Sequence, residues 1–349
     1  MSIKIAVVGG GFMGRLHART VAESAEAELA AVVDRDPAAG RAAADELGTR
    51  HLPEVVDALN EDVDAFIVAV PDRAHVGPAT TALRAGRPVL VEKPMADTLE
   101  GARAIDRAAA EGGTHVAVGQ ILRFDPRYAG AAAAVAAGDI GEPLHVTAGR
   151  IAARDIGLRM DGSSSVLFYL GVHDVDAMQW VTGKRITRVY SRAVSKLMPA
   201  NGVRSEDAIF TVAELEDGTI GELFNGWTRR SDDPVSIDGR LEVMGTEGTV
   251  AVDVRDHGLR VYGDSGLATP DALHWPEVNA RIRGDLAAEV RAFVAGVRDG
   301  AGFPVPTAAA MRNVAVNDAI LRSVESGVPE DVEIVDRAES GAAGAGAVR

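Results

Sequence analysis

Residues 3–23 read Ile3-Lys4-Ile5-Ala6-Val7-Val8-Gly9-Gly10-Gly11-Phe12-Met13-Gly14-Arg15-Leu16-His17-Ala18-Arg19-Thr20-Val21-Ala22-Glu23. The first six form a nearly continuous apolar run, as a strand buried on both faces requires. Gly9–Gly14 fits G-x-G-x-x-G, and Phe12–Glu23 reads as a helix. In a chain with 38 glycines the pattern alone is weak, so its weight comes from lying between a strand and a helix. In that setting Gly9 permits the tight turn, Gly11 lets the backbone approach a pyrophosphate, and Gly14 lets helix pack on strand. The pyrophosphate then lies at the positive end of the helix, beside Phe12 and Met13. A glycine-rich turn with no ligand is the plainer alternative. The flanking elements argue against it.

Further apolar runs follow at Glu28–Asp34, Asp64–Val70, Pro88–Lys93 and His115–Ile121, with a weak strand at Arg50–Leu52. Helix-like stretches of roughly 10–15 residues separate them, which is the pattern of a parallel sheet covered on both faces. The expected class is α/β: a doubly wound Rossmann domain over residues 1–122. Asp34 ends the second run, 20 residues after Gly14, where a carboxylate accepts hydrogen bonds from ribose hydroxyls and repels an outer phosphate. NAD is therefore preferred. Arg35 keeps NADP as a second candidate, because its guanidinium either meets a phosphate, stacks on adenine, or stands in solvent as a surface charge.

The texture changes after Pro126. A helix over Arg127–Ala137 ends at Gly138, a strand runs Leu144–Ala153, Gly162–Ser165 reads as a flexible loop, and a helix over Gly171–Val181 closes at Thr182-Gly183. Longer strands fill Ile186–Tyr262, punctuated at Glu216-Asp217-Gly218, Ser231–Pro234 and Gly245–Gly248. Two helices, Gly284–Arg298 and Thr307–Ser326, complete an α+β domain over 123–335 with a large, mostly antiparallel open sheet. Residues 336–349 read as a disordered tail. No linker long enough to separate the domains is present, so they should pack around a shared cleft.

Composition narrows the function. A formal net charge of −15 argues against a nucleic-acid or anionic-membrane partner, both of which need a basic face. With no cysteine, disulfides, thiolate metal sites and thiol nucleophiles are excluded, and no metal is assigned. The first residues contain neither a signal-peptide pattern nor a membrane span, which makes the cytoplasm the expected compartment.

The fifth strand ends Val89-Leu90-Val91-Glu92-Lys93-Pro94. Ligands of open parallel sheets bind beyond the carboxyl ends of strands, so Lys93 is aimed at the cleft. Lys93-Pro94 is a candidate cis peptide. Partial desolvation beside an oxidised nicotinamide would lower the amine's pKa and make it usable in proton transfer. On position alone, a structural or surface lysine is the commoner reading.

Taken together, Gly9–Gly14 with His17, Asp72 and His75 after the fourth strand, Glu92-Lys93-Pro94, and Gly171-Val172-His173-Asp174 resemble the Gfo/Idh/MocA oxidoreductases over roughly residues 3–330. That family includes inositol dehydrogenases, glucose–fructose oxidoreductase and sugar dehydrogenases. The resemblance implies that Lys93 touches substrate and that His173 is the acid–base for the reacting hydroxyl. Pro71, His75 and Glu92 would join the glycine turn and Lys93 at the cofactor. It also implies a homodimer or homotetramer through the second domain's sheet. Within Gln120-Ile121-Leu122-Arg123-Phe124-Asp125-Pro126, Arg123 either binds substrate or forms an interdomain salt bridge. Gly245–Thr249 reads as a structural turn, and Trp227 as buried in the sheet rather than stacked on a sugar.

One position departs from the pattern. The inositol enzymes usually carry a carboxylate four residues before this histidine, and here that residue is Tyr169. A phenol is neutral at pH 7 and cannot supply a fixed negative charge, although it can donate to a substrate hydroxyl or relay a proton. Tyr169 is therefore counted with Lys93 and His173 as a catalytic and substrate-binding candidate. Asp174 and Asp176 point elsewhere on a helix and are no automatic replacement. The expected activity is hydride transfer between the nicotinamide and a secondary alcohol of a cyclic polyol, sugar or sugar derivative. An NAD-assisted glycoside hydrolase and a non-enzymatic NAD(P) sensor are the alternatives. Keeping both Lys93 and His173 counts against a sensor.

Overall fold

The structure, a computed structural model, describes residues 2–335 except 236, 256, 265 and 301. The expected disordered tail, 336–349, lies outside the described residues. The first layer holds strands β1 (Ile3–Val8), β2 (Ala27–Val33), β3 (Arg50–Leu52), β4 (Ala65–Val68), β5 (Val89–Glu92) and β6 (Val116–Gly119). Between them run helices α1 (Phe12–Ala22), α2 (Pro37–Leu47), α3 (Val55–Leu59), α4 (Val76–Arg84) and α5 (Leu99–Glu111). The strands are parallel in the order β3-β2-β1-β4-β5-β6. Strand order reverses between β1 and β4, which opens the ligand crevice of a Rossmann sheet. Residues of β4, β5 and β6 are buried throughout, as the unbroken apolar runs require.

The second layer begins with α6 (Pro126–Ala137), started by the Asp125 carboxylate accepting from Arg127 N and ended by Gly138 at φ +81°. It continues through β7 (Pro143–Ala153), α7 (Arg154–Met160), a single π turn at Leu167–Gly171, α8 (Val172–Thr182), β8 (Ile186–Val194) and the short α9 (Leu197–Ala200). Strands β9 (Ala208–Leu215), β10 (Ile220–Arg229), β11 (Ile237–Gly245) and β12 (Thr249–Asp253) follow. Two small hairpins come next, β13 (Val261–Gly263) with β14 (Gly266–Ala268), and β15 (Glu277–Val278) with β16 (Arg281–Ile282). Then come α10 (Gly284–Asp299), α11 (Thr307–Ser326) and the edge strand β17 (Glu330–Asp331). The large sheet is ordered β12-β11-β7-β10-β9-β8-β17. It is antiparallel except for the β7–β10 pair.

One face of that sheet is covered. Leu167, Leu170, Val175, Met178 and Val181 pack on Ala148, Ala213, Leu223 and Leu241 in one apolar cluster. The last two long helices do not stay with the second layer. Val290, Phe293 and Val294 of α10 lie against Ile5, Val7, Ile67 and Leu90 of the Rossmann sheet. Helix α11 serves both layers, with Met311 and Val314 in the Rossmann cluster and Val316 and Ile320 in the other. This double attachment pins the layers together and sets the cleft between them.

Candidate active site

At the nucleotide end, sterics explain the glycines. Gly9 has φ +117°, and a Cβ there would sit 2.5 Å from Ala69 O; at Gly14 it would lie 1.9 Å from Gly9 O. Neither position tolerates a side chain. Around the Cβ direction of Gly11 nothing lies within 4 Å, so that face is open to a ligand. Gly11 also starts α1 without a side-chain cap, which leaves first-turn amides free for an anion. These features fit a dinucleotide pyrophosphate.

Asp34 is anchored to the same turn. Its Oδ2 accepts from Gly10 N at 2.6 Å and its Oδ1 from Asp36 N at 2.8 Å. A carboxylate has about four lone-pair sites, so acceptor capacity remains for ribose hydroxyls. Gly10, passed over as the variable position of the motif, supplies the amide that fixes it. Arg35 is 84% exposed and pairs with Glu54 at 3.2 Å, which is the surface-charge reading. Phe12 is 68% exposed and meets the Trp275 ring edge-on at 6.1 Å. Met13 is half-buried, and Pro71 stands exposed just beyond β4.

Two residues expected at the cofactor are spent inside the protein. His75 is buried, with Nδ1 2.9 Å from Pro94 O and Nε2 2.9 Å from Val70 O. Both ring nitrogens are engaged, so the residue is a strut between the β4 and β5 ends. Glu92 accepts from Lys93 N at 3.1 Å and holds His17 Nε2 at 2.8 Å. It supports the lysine from behind.

A third buried ionisable group, Glu289 of α10, stands within 4.8 Å of His17 and Glu92. Its Oε2 and His17 Nδ1 have no partner. Burial, then the nearby charges of Glu92 and Asp285, raise the Glu289 pKa well above the carboxylate range. Burial also works to raise Glu92, but His17 and Lys93 hold it lower. One carboxyl of the pair thus keeps its proton. The linkage sign follows. Above about pH 4.5 the unfolded chain releases the Glu289 proton while the folded chain keeps it, so stability falls as pH rises until the folded carboxyl itself ionises. Glu289→Gln should abolish this slope. We expect its Tm to exceed that of the parent by about 2 °C or more at pH 8 and to converge with it near pH 5. Melting curves across that range check it, and a variant less stable at pH 8 would show that the carboxyl is ionised in the fold.

At the reaction end, the Lys93–Pro94 bond is cis. Lys93 Nζ donates to Tyr169 O at 3.1 Å and stands 5.1 Å from the Tyr169 ring centroid. Tyr169 lies in the π turn at Leu167–Gly171, a widened turn of a kind common at functional sites. Burial lowers the Lys93 pKa, against the pull of Glu92 and Asp72. Asp72 also accepts from Ser164 Oγ at 2.7 Å, tying the second layer's loop to the Rossmann layer beside the lysine. The Tyr169 ring leans on Trp227 at 5.5 Å, and burial raises the phenol's pKa, so it is neutral at pH 7. Trp227 is fully buried and donates to Glu206 O at 3.0 Å, which leaves it no sugar face.

His173 opens α8. Its pKa is held well below the usual value by burial first, then by Lys93, Arg150 and His274, and its Nδ1 is buried without a partner. The neighbouring carboxylates are turned away. Asp174 meets Arg150 at 3.3 Å and Asn225 at 2.7 Å, and burial pushes it up to about 6. Asp176 holds Arg123 through two bonds of 2.8 and 2.9 Å and accepts from Asn313 at 2.8 Å. Of the two readings left open for Arg123, the geometry has the salt bridge, with the guanidinium 5.3 Å from the Trp180 centroid. Ser164, Glu289, His274 and Asp285 were not singled out in the sequence. Ser164 and Glu289 act across long chain separations and His274 meets Asp285 across a hairpin, and nothing local marks them.

The open glycine turn, the anchored Asp34 and the lysine at the β5 end define an NAD-binding Rossmann oxidoreductase. Residues 3–120 match the family described as "Oxidoreductase family, NAD-binding Rossmann fold", and residues 128–251 match the "GFO/IDH/MocA C-terminal domain". The chain belongs to the Gfo/Idh/MocA family. It is 30% identical to inositol 2-dehydrogenase 1 of Saccharopolyspora erythraea, over 97% of this chain and 98% of that one. It is 29% identical to scyllo-inositol 2-dehydrogenase (NAD(+)) of Bacillus subtilis, over 95% and 97%. A solved structure of GenD2 from gentamicin A biosynthesis, in complex with NAD, superposes with a TM-score of 0.85 at 27% identity, over 95% of this chain and 97% of that one. Among the described residues no helix is long and apolar enough to cross a membrane.

Proposed function

We propose that this protein is an NAD-dependent dehydrogenase of a secondary alcohol on a cyclic polyol, sugar or sugar derivative. The observation that carries the reading is the Lys93 side chain on the Tyr169 carbonyl and ring at the carboxyl end of β5, in the turn that runs directly into the helix holding the neutral His173. The inositol enzymes among the relatives favour a polyol. Tyr169, standing where a carboxylate usually lies, keeps the substrate at the level of a class.

The glycine turn and Asp34 would hold NAD, which when bound accepts a hydride from the carbinol carbon. The protein's own groups handle the oxygen and its proton. Lys93 Nζ, held by Tyr169 O and backed by Glu92, offers hydrogens to the carbinol oxygen and stabilises its developing negative charge. His173 is neutral and has a free lone pair, so it accepts the hydroxyl proton. Arg123 acts as a bridge that positions α8 and leaves substrate contact to the other three.

We place the domain division near residue 122, with α10 and α11 returning to the first layer. The outer face of the large sheet exposes Leu144, Tyr190, Phe210, Val212 and Ile220. That apolar stripe supports assembly of two or four copies through this face. We place the reaction in the cytoplasm, where NAD is supplied.

Two measurements test the reading. A screen of cyclitols, aldoses and sugar acids, read by nicotinamide absorbance, should find a substrate that reduces NAD. Titration of both dinucleotides should show NAD bound at least about tenfold more tightly, because a 2′-phosphate would face the Asp34 carboxylate. Equal or tighter NADP binding would mean that Arg35 leaves Glu54 and governs the choice.

A further inference from the structure

The segment that leads through β15 and β16 runs along α1 as a strap, in step with it. Trp275 meets Phe12 at the N-terminal end of the helix, the ring centroids 6.1 Å apart and the planes at 75°. Further along, Arg19 bonds Glu277 at 2.9 Å and Ala280 O at 3.4 Å. Near the far end, Glu23 accepts from Ile282 N at 2.6 Å. This order puts the strap's aromatic end at the glycine turn, beside the open face of Gly11 and the uncapped first amides of α1.

Trp275 is held there by a turn that is built in advance. Asp271 accepts from Leu273 N at 3.1 Å, His274 N at 2.9 Å and Trp275 N at 2.8 Å, so its carboxylate fixes the backbone up to the tryptophan. The first amides of α10, Asp285 N and Leu286 N, donate to Leu273 O and His274 O at 2.9 Å each. Side chains repeat the closure: His274 Nδ1 stands 2.9 Å from Asp285 Oδ2, and the His274 ring packs 5.8 Å from Trp275.

The protein itself leaves both rings incompletely used. Phe12 is 68% exposed, although it stands at the first position of α1. Trp275 is half-buried, and its indole N–H bonds to no described residue while staying open to solvent. A single exposed ring needs no explanation. Two rings in contact across the layers, with a spare donor and at a helix end suited to an anion, fit a ligand that carries both apolar faces and phosphate oxygens.

We propose that Trp275 and Phe12 wall the pyrophosphate of bound NAD, the rings packing on its flanking riboses and the Trp275 indole N–H donating to a phosphate oxygen. The proposal goes beyond the dehydrogenase reading and rests on the NAD site alone, not on which alcohol is oxidised. Covering the rings removes apolar surface from water. The indole adds a charge-assisted hydrogen bond to those of the α1 amides. Because Asp271 and the start of α10 fix the turn beforehand, binding bears little ordering cost. The wall comes from the second layer, so both layers grip the dinucleotide. Its adenosine end, at Asp34, lies outside the wall.

The test uses the full chain and reads binding, not turnover. Protein carrying 5-fluorotryptophan gives one fluorine NMR signal for each of its three tryptophans, assigned by replacing each with phenylalanine in turn. NAD and ADP-ribose should move the Trp275 signal, and adenosine, which has no phosphate, should leave it in place. In the second arm, Trp275→Leu should raise the dissociation constants of NAD and ADP-ribose by about 10-fold and that of adenosine by less than about twofold. Trp275→Phe, which keeps a ring and lacks the donor, should fall between parent and Trp275→Leu. A structural role for the tryptophan would loosen the glycine turn and weaken all three ligands alike. That uniform loss would overturn the wall, as would a Trp275 signal indifferent to NAD, one that adenosine moves equally, or a Trp275→Leu protein with parental NAD affinity. Should Trp275→Leu not fold, the fluorine arm on the parent decides alone. A parent that shows the wall yet oxidises no polyol or sugar would defeat the dehydrogenase reading and leave the wall standing.

Discussion

Lys93→Met should lower kcat by about 100-fold or more while the dissociation constant for NAD stays within about twofold. Methionine keeps the length and apolar bulk of the lysine stem, so packing behind Glu92 and under Tyr169 survives. What disappears is the charge that reaches the Tyr169 carbonyl from the β5 end. A carbinol oxygen losing its proton in a half-buried site then develops negative charge with no donor to meet it, and one such donor is worth roughly 10²–10³ in rate. The proposed dinucleotide contacts lie elsewhere, at Gly11, Asp34 and the α1 terminus, so binding of NAD is the control. Near-parental turnover would remove Lys93 from the reacting centre.

His173→Ala should be as damaging, about 100-fold or more in kcat, through loss of the group that accepts the hydroxyl proton. Burial, Lys93, Arg150 and His274 all disfavour its cationic form. The imidazole therefore enters the reaction neutral, and activity should persist to pH values well below those at which an ordinary histidine protonates. Tyr169→Phe isolates the phenol: the ring stays on Trp227 and the backbone carbonyl stays on Lys93, with only the hydroxyl removed. A loss on the order of tenfold would put that hydroxyl on the substrate, whereas unaltered kinetics would reduce Tyr169 to its carbonyl and its packing. Full kcat profiles from pH 5 to 10 for the three proteins make the comparison.

Local chemistry explains which parts of the structure could be read in advance. The strand at Ile3–Val8, the short one at Arg50–Leu52 and the helix at Thr307–Ser326 occur with those bounds, because apolar runs and helix-stop glycines are signals carried by neighbouring residues. Other strands were read a few residues too long. Val70, Lys93 and Ile121 extend the apolar or charged pattern but belong to turns at the sheet's carboxyl edge. Arg154–Met160, between the expected strand and the Gly162–Ser165 loop, is a two-turn helix. It mixes charge with a glycine, and its short apolar set, Ile156, Leu158 and Met160, gains meaning only by packing on the second layer's core. The π turn was invisible for a similar reason, since Leu167–Gly171 ends in a glycine where a helix ordinarily begins.

The site divides along the same line. Gly9, Gly14, Asp34 and Lys93 sit at fixed offsets from strand ends, so position alone brings them to the cleft. His75 and Glu92 lie at the same edge but turn inward, because carbonyls and a histidine there need partners. Glu289 looks like any acidic residue on a helix surface. Only the packing of α10 on the Rossmann sheet buries it. His274 and Asp285 meet across a loop and a hairpin, and no periodicity records that contact.

The central claim is direct transfer of hydrogen from a carbinol carbon to NAD, and an isotope experiment tests it most directly. The substrate found in the screen is prepared with deuterium on the reacting carbon, incubated with the parent protein and NAD, and the NADH is examined by mass spectrometry and proton NMR. The account predicts one deuterium per NADH, on C4 of the nicotinamide and on one face of the ring. NADH formed without deuterium, with the label released to water, would contradict it.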